Sequence, residues 1–184
     1  MLVSRELRKK NIAEFLLYMW QVEDLLRANE LSIDKIKINI VEPYNLPAEV
    51  SAELLQWYAD LIDMMHQEGV KEKGHLQINR NVIISLTDLH QRLLHSPKVP
   101  FYSAAYYKAL PFIVEFRTKS EGREKTELEN CFDALYMVWM MKLQKREMNE
   151  ETLRATAEIS KFISMLSLYF KEDEEGKLDL ESEE

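Results

Sequence analysis

Long blocks in which apolar residues recur every three or four positions run through almost the whole chain. Few residues interrupt these blocks, because the 184 residues include only four glycines and five prolines. Apolar residues spaced by three and four positions cover one side of an α-helix, whereas a half-buried strand shows strict alternation. The pattern predicts an all-α fold. The 46% of apolar residues are enough for the core of one compact domain of this length.

The breaks between the blocks divide the chain into about seven helices. We expect these helices at about residues 5–29, 33–43, 48–68, 74–96, 101–119, 125–147 and 150–172. Residues 36–40 also alternate like a strand, but no second strand could pair with them, so we interpret them as helix. The connections are short, which favours antiparallel neighbours in a single-domain helical bundle.

The negative charge of the chain is concentrated at its C-terminal end. Residues 172–184 contain eight acidic side chains and one lysine, which accounts for −7 of the net charge of −8. Blocks of like charge usually form solvated extensions. We therefore predict a helical bundle domain over residues 1–172 and an acidic, flexible tail over residues 173–184.

The remaining body of the chain is almost neutral and lacks a basic stripe. Its one basic cluster contains Arg5, Arg8, Lys9 and Lys10, and three of these residues fit the solvent side of the first helix. A domain that binds a nucleic-acid duplex normally presents a basic stripe over one face. We therefore do not expect a nucleic-acid partner.

Three features of the sequence bear on where the chain acts. The longest purely apolar run, residues 134–141, is far shorter than the roughly 20 residues of a membrane span. The first residues become charged at Arg5 and Glu6, without the apolar core of a secretory signal. The single cysteine, Cys131, has no partner for an internal disulfide. We expect a cytoplasmic protein that does not associate with membranes.

The helix predicted at residues 125–147 is apolar on two sides. Its main apolar face contains five large side chains, Leu128, Phe132, Leu135, Trp139 and Leu143. Met137, Met141 and Met148 form a second stripe nearly opposite. A helix that is apolar all round is either central in its bundle or shared with another subunit. Methionine adapts well to partner surfaces, so these three residues are a candidate interface for an unknown protein partner or a second copy of the chain.

Polar residues interrupt the core face of the helix predicted at residues 74–96. His75, Asn79 and His90 fall on that face within about 60° of one another. A buried polar group without a partner costs about 1–3 kcal/mol, so these side chains need partners, and Glu23 on the first helix is a candidate. Glu23, His75, Asn79 and His90 form either a pocket for a small ligand or proton transfer, or a hydrogen-bond network that fixes helix packing.

Familiar catalytic and metal-binding patterns are missing from the sequence. Asp63 and His66 have the spacing of a ligand pair in di-iron bundles, but Asp63 is expected to face solvent and the two Glu-x-x-His helices of such bundles are not present. No Gly-x-Ser-x-Gly, Gly-rich phosphate loop or Cys-x-x-Cys occurs. Cys131 fits a small core residue better than a nucleophile. We expect no cofactor, no metal and a binding module rather than an enzyme.

Four segments of the chain resemble a bacterial family that is classed as a domain of unknown function. These segments are Glu6–Glu14, Tyr18–Leu25, Gly74–Asn79 and Tyr106–Phe112. The resemblance extends over nearly everything except the acidic tail. It implies a small soluble helical protein of about 180 residues without an assigned activity, cofactor or catalytic residue. The resemblance therefore supports the helical fold and transfers no site.

Overall fold

A computed structural model describes residues 2–120 and 124–180 of the chain. These residues contain eight α-helices and no β-strand, which confirms the all-α prediction. The helices are α1 (Leu2–Lys10), α2 (Ile12–Ala28), α3 (Ile33–Ile36), α4 (Ala48–Gln67), α5 (Gln77–His95), α6 (Pro100–Lys119), α7 (Glu127–Leu143) and α8 (Glu150–Glu174). A π-helical turn at Lys37–Val41 and a 3₁₀ turn at Glu42–Tyr44 follow α3.

The contacts within the chain divide it into two compact units. The first unit comprises residues 1–10 and 14–82, and the second comprises residues 11–13 and 83–184. Helix α5 supplies its first six residues to the first unit and the remainder to the second. In the first unit, apolar side chains of α2 pack with those of α3 and α4 in a common core.

The first predicted helix is divided into α1 and α2 at Asn11. The Asn11 side-chain oxygen Oδ1 accepts hydrogen bonds from the Ala13 backbone N–H at 3.1 Å and from the Ser167 hydroxyl at 2.6 Å. Asparagine side chains often bond to nearby backbone groups in this way and so interrupt a helix. The break at Asn11 accounts for the eighth helix.

Helix α7 ends earlier than the sequence pattern predicted. Lys145 has a left-handed φ of 54°, and the Arg146 N–H donates to the Met141 carbonyl at 2.9 Å. This is the backbone geometry that closes many helix C-termini. Met148 therefore lies beyond the helix, so the predicted stripe of three methionines on one helix is wrong in its third member.

In the second unit, α6 and α8 run antiparallel. Tyr102 near the start of α6 contacts Tyr169 near the end of α8, with 5.8 Å between ring centroids. Farther along α6, Lys108 Nζ contacts Glu158 at 2.8 Å. Helix α7 packs on both of these helices. This three-helix arrangement positions the exposed face of α6 described below.

The C-terminal acidic segment begins within helix α8, which continues to Glu174. Beyond the helix, Asp179 contacts Lys98 Nζ at 2.7 Å, and the Leu180 carbonyl accepts from the Ser96 hydroxyl at 3.2 Å. The rest of the predicted tail, residues 181–184, lies outside the described residues. The flexibility of the tail stays a prediction. None of the helices described here is long and apolar enough to cross a membrane.

Candidate functional site

The carboxylate of Glu23 is the centre of a buried polar cluster in the first unit. Its oxygen Oε1 accepts from the Leu76 backbone N–H at 2.9 Å and from Asn79 Nδ2 at 2.7 Å. Its other oxygen, Oε2, lies 2.7 Å from His75 Nδ1. Glu23 itself is 0% exposed. We call Glu23, His75, Leu76 and Asn79 the Glu23 cluster. Three donors converge on one carboxylate, as the burial of such a group requires.

The Glu23 cluster also caps the N-terminus of α5. The residue before this helix is Leu76, which has no side-chain acceptor for the free N–H groups of the first turn. Glu23 accepts from the Leu76 N–H, and Glu68 Oε2 accepts from the Gln77 N–H at 2.6 Å. Negative groups at a helix N-terminus also interact favourably with the helix dipole. Carboxylates distant in sequence thus replace a local cap.

His75 is the one member of the cluster that combines a buried partner with an open surface. Its ring stacks on Trp20, with 4.0 Å between centroids and 11° between planes. Nδ1 contacts the Glu23 carboxylate, so Nε2 is the ring nitrogen that can meet solvent. Nε2 has no hydrogen-bond partner in the part of the chain that the structure describes, and the side chain is 29% exposed. His75 can therefore present Nε2 to solvent.

Arg27 fixes the loop that carries His75. Its Nη2 donates to the Val70 carbonyl at 3.1 Å and to the Gly74 carbonyl, while Nη1 pairs with Asp24 at 2.8 Å. Gly74 has a left-handed φ of 88°, which favours glycine at this position. The position of His75 thus depends on helix α2 through Trp20, Glu23 and Arg27.

His90, the fourth residue of the predicted pocket, belongs to a different cluster in the second unit. It is 2% exposed, and its Nδ1 lies 2.6 Å from the Tyr102 hydroxyl. The rings of Tyr106 and Phe162 approach the His90 ring edge to face, at centroid distances of 4.9 and 5.5 Å. We call His90, Tyr102, Tyr106 and Phe162 the His90 cluster.

The groups of the His90 cluster are neutral. Burial lowers the pKa of His90 below its ordinary value, although the charge of Glu127 acts in the opposite direction. Burial raises the pKa of Tyr102, so its hydroxyl keeps its proton and shares a hydrogen bond with His90 Nδ1. The Tyr106 hydroxyl donates to Glu127 Oε2 at 2.7 Å. The remaining His90 nitrogen, Nε2, is buried without a hydrogen-bond partner among the described residues.

The structure thus brings Glu23, His75 and Asn79 together and gives His90 a separate partner. The helical wheel had placed His75 and His90 on one face, but α5 begins only at Gln77, after His75. Trp20 and Tyr102 were not recognised as site residues. Trp20 precedes Glu23 by three positions on a helix, a spacing that places both on one side. No comparable sequence signal points to Tyr102.

The described residues do not provide a metal site. They contain no group of three His, Cys, Asp or Glu side chains arranged to hold an ion. The expectation that no Glu-x-x-His pair occurs is wrong, because Glu72 and His75 form one, but both residues precede helix α5. Cys131 is fully buried, and burial and the charge of Glu127 raise the pKa of its thiol. A buried thiol of this kind is a poor nucleophile.

The solvent side of α6 exposes large apolar side chains. Phe101, Tyr107 and Val114 are 80%, 63% and 51% exposed. Tyr107 and Val114 belong to an exposed row along one side of the helix, Ala104, Tyr107, Pro111, Val114 and Thr118, whereas Phe101 lies to one side of this row, next to Lys108. We call this row the α6 outer face. It carries no charged residue, although a solvated helix face is normally polar.

A groove of about 400 Å³ lies between α6, α7 and α8. Phe112 and Phe116 of α6, Met137 of α7 and Ile159 of α8 line it. Met137 is 43% exposed, whereas Met141 is partly buried. Of the predicted methionine interface, only Met137 contributes to this groove. Glu115 and Lys119 also line it, so the groove adjoins the α6 outer face.

Comparison with known families gives one match, which extends over residues 1–177 and is described as Domain of unknown function (DUF4924). The chain belongs to this family. No curated protein and no solved structure matches it. Membership of DUF4924 agrees with the resemblance stated from the sequence and assigns no activity.

Proposed function

We propose that this protein is a helical interaction module that binds a protein surface through the α6 outer face. The observation that supports the proposal is the exposure of Tyr107 and Val114 in one uncharged row. Contiguous apolar patches on soluble proteins commonly mark interaction sites. The single cysteine, Cys131, suits the reducing cytoplasm, so we propose a cytoplasmic location as well.

The residue types of the α6 outer face suit a protein contact. Aromatic side chains are enriched at protein interfaces, and each buries a large area with few rotatable bonds. Removing apolar area from water contributes about 25 cal/mol per Å². Because α6 packs its other side against α8, the helix presents this face on a rigid support. The adjoining groove with Met137 adds an adaptable rim.

A photo-crosslinking experiment in the native cell tests the proposal. The variant Tyr107→p-benzoylphenylalanine places the probe at the middle of the α6 outer face. We expect one defined crosslinked product, identified by mass spectrometry as a second copy of the chain or as another protein. The additional substitution Val114→Glu should abolish this product, since it puts a charge into the contact.

The matched control is Ile84→p-benzoylphenylalanine. Ile84 is 61% exposed, almost the same as Tyr107, but lies on helix α5. The control should give no product of the same mass. Equal crosslinking from positions 84 and 107, or a product that survives Val114→Glu, would show that the α6 outer face is not a specific contact.

The alternative function, a small-ligand protein or enzyme at His75, Asn79 and His90, has weaker geometric support. Its favourable observation is the open Nε2 of His75 beside a buried carboxylate, Glu23. However, Asn79 is fully buried, and His90 bonds to Tyr102 instead. Nε2 of His75 is the one polar side-chain atom of the cluster that the described residues leave open to solvent, so the cluster offers a ligand one contact.

A further inference from the structure

We infer that the partner of the α6 outer face is a second copy of this chain, whose α6 lies antiparallel across a two-fold axis near Pro111. This inference rests on the proposed interaction function and specifies its partner. A two-fold contact must be self-complementary, because each surface meets an identical one. Such a contact requires complementary residues, such as opposite charges, at equal distances along α6 on either side of the two-fold axis.

The two charges that flank the α6 outer face meet this requirement. Lys108 lies three residues before Pro111, and Glu115 lies four residues after it, on the same flank of the face. With a rise of about 1.5 Å per residue, each lies about 5 Å along the helix from their midpoint. A two-fold axis at that midpoint places Lys108 of each copy beside Glu115 of the other, so the ion pair occurs twice.

The uncharged residues of the face agree with the same axis. It places Tyr107 beside Val114 of the second copy, an aromatic ring next to a branched aliphatic side chain. It also places the small side chains of Ala104 and Thr118 opposite each other. From Ala104 to Thr118 the exposed row advances by three, four, three and four residues. This spacing is typical of the contact line between two paired helices.

Both flanking charges remain available to a second copy. The side chains of Lys108 and Glu115 are 61% and 39% exposed, although Lys108 contacts Glu158 and Glu115 contacts Lys119 within the chain. The pair of Glu115 with Lys119 is exposed, and such pairs contribute little to stability and exchange partners at low cost. Lys108 has an exposed side chain, although its partner Glu158 is only 19% exposed. A contact that excludes water would favour the pairs between the two copies.

A charge-exchange experiment on the full chain tests the inference. Sedimentation equilibrium should show that the wild-type chain dimerises. Lys108→Glu alone or Glu115→Lys alone puts like charges together twice, and each should raise the dimer dissociation constant about tenfold. An equimolar mixture of the two variants should regain wild-type affinity, because every pair across the axis is again of opposite charge. The double variant in one chain should also regain it.

Two controls separate the dimer contact from effects within one chain. Glu158→Gln removes the intrachain partner of Lys108 and should leave the dimer intact. Circular dichroism melting should show that each variant is folded. The inference is overturned if the wild-type chain is monomeric at millimolar concentration, if the single exchanges have no effect, or if the mixture does not recover. In each case a crosslink from position 107 to a different protein would leave the interaction function standing.

Discussion

The Glu23 cluster and the His90 cluster satisfy their buried polar groups in different ways. In the Glu23 cluster a buried carboxylate receives three hydrogen bonds, and one histidine nitrogen remains open to solvent. In the His90 cluster a neutral histidine shares one hydrogen bond with Tyr102 and is otherwise surrounded by aromatic rings. A buried charged group needs several donors, whereas a buried neutral ring needs few. The first cluster should therefore be much more sensitive to substitution.

The largest expected effect follows from Glu23→Ala. This substitution leaves the Leu76 N–H, the Asn79 amide and His75 Nδ1 without their acceptor. Each buried unpaired donor costs about 1–3 kcal/mol, and water can reach part of the new space. We expect the free energy of unfolding to fall by about 3–5 kcal/mol, measured by urea denaturation.

Glu53→Ala provides the control for this prediction. Glu53 is an exposed glutamate on helix α4 of the same unit, and surface substitutions usually change stability by less than about 0.5 kcal/mol. If Glu23→Ala cost no more than Glu53→Ala, the Glu23 cluster would not hold the start of α5, and the contrast between the two clusters would be lost.

A smaller effect is expected from Tyr102→Phe in the His90 cluster. The substitution removes one hydroxyl and leaves His90 Nδ1 unpaired, while the aromatic packing is retained. One lost hydrogen bond at a buried neutral group costs about 1–3 kcal/mol. We expect a loss of about 2 kcal/mol in urea denaturation.

Tyr107→Phe is the matched control for the hydroxyl, because Tyr107 is exposed on the same helix. It should leave stability nearly unchanged. If Tyr102→Phe lost as much stability as Glu23→Ala, the His90 cluster would depend on its hydrogen bond as strongly as the Glu23 cluster depends on its three.

The helical architecture was predictable because each helix is encoded by local periodicity. The break at Asn11 and the early end of α7 were not predicted, since they depend on the side-chain hydrogen bonds of Asn11 and on a backbone hydrogen bond after α7 rather than on the apolar pattern. The exposed row on α6 could not be predicted from the sequence alone, because Tyr107 and Val114 are residue types that suit the core of a helical bundle equally well.

The candidate site was predictable only in part. Polar residues on an apolar face indicated that Asn79 and His75 need partners, and Glu23 was a suitable acceptor. Which histidine Glu23 would meet depends on the loop before α5, whose course is set by Arg27 and by the left-handed Gly74. Contacts between residues about 50 positions apart leave no periodic signal in one sequence.

The smallest expected effect is the pH dependence of stability that His90 contributes. Burial lowers the pKa of His90 from its ordinary value of 6.5, so the folded state binds fewer protons than the unfolded state below that pH. Stability should be full above about pH 6.5 and fall as the pH drops toward the depressed pKa, by at most about 1.4 kcal/mol per pH unit for one group. Urea denaturation between pH 5 and 7 measures this slope.

His90→Phe isolates the contribution of this histidine, since acidic side chains elsewhere also titrate in acid. The variant loses the bond to Tyr102, so its stability differs at every pH, but only the slope is compared. The wild-type chain should lose more stability than the variant between pH 7 and 5. Equal slopes would mean that His90 accepts a proton in the folded state as readily as in the unfolded chain. Its aromatic surroundings would then not keep the ring neutral, and the difference between the two clusters would rest on hydrogen-bond number alone.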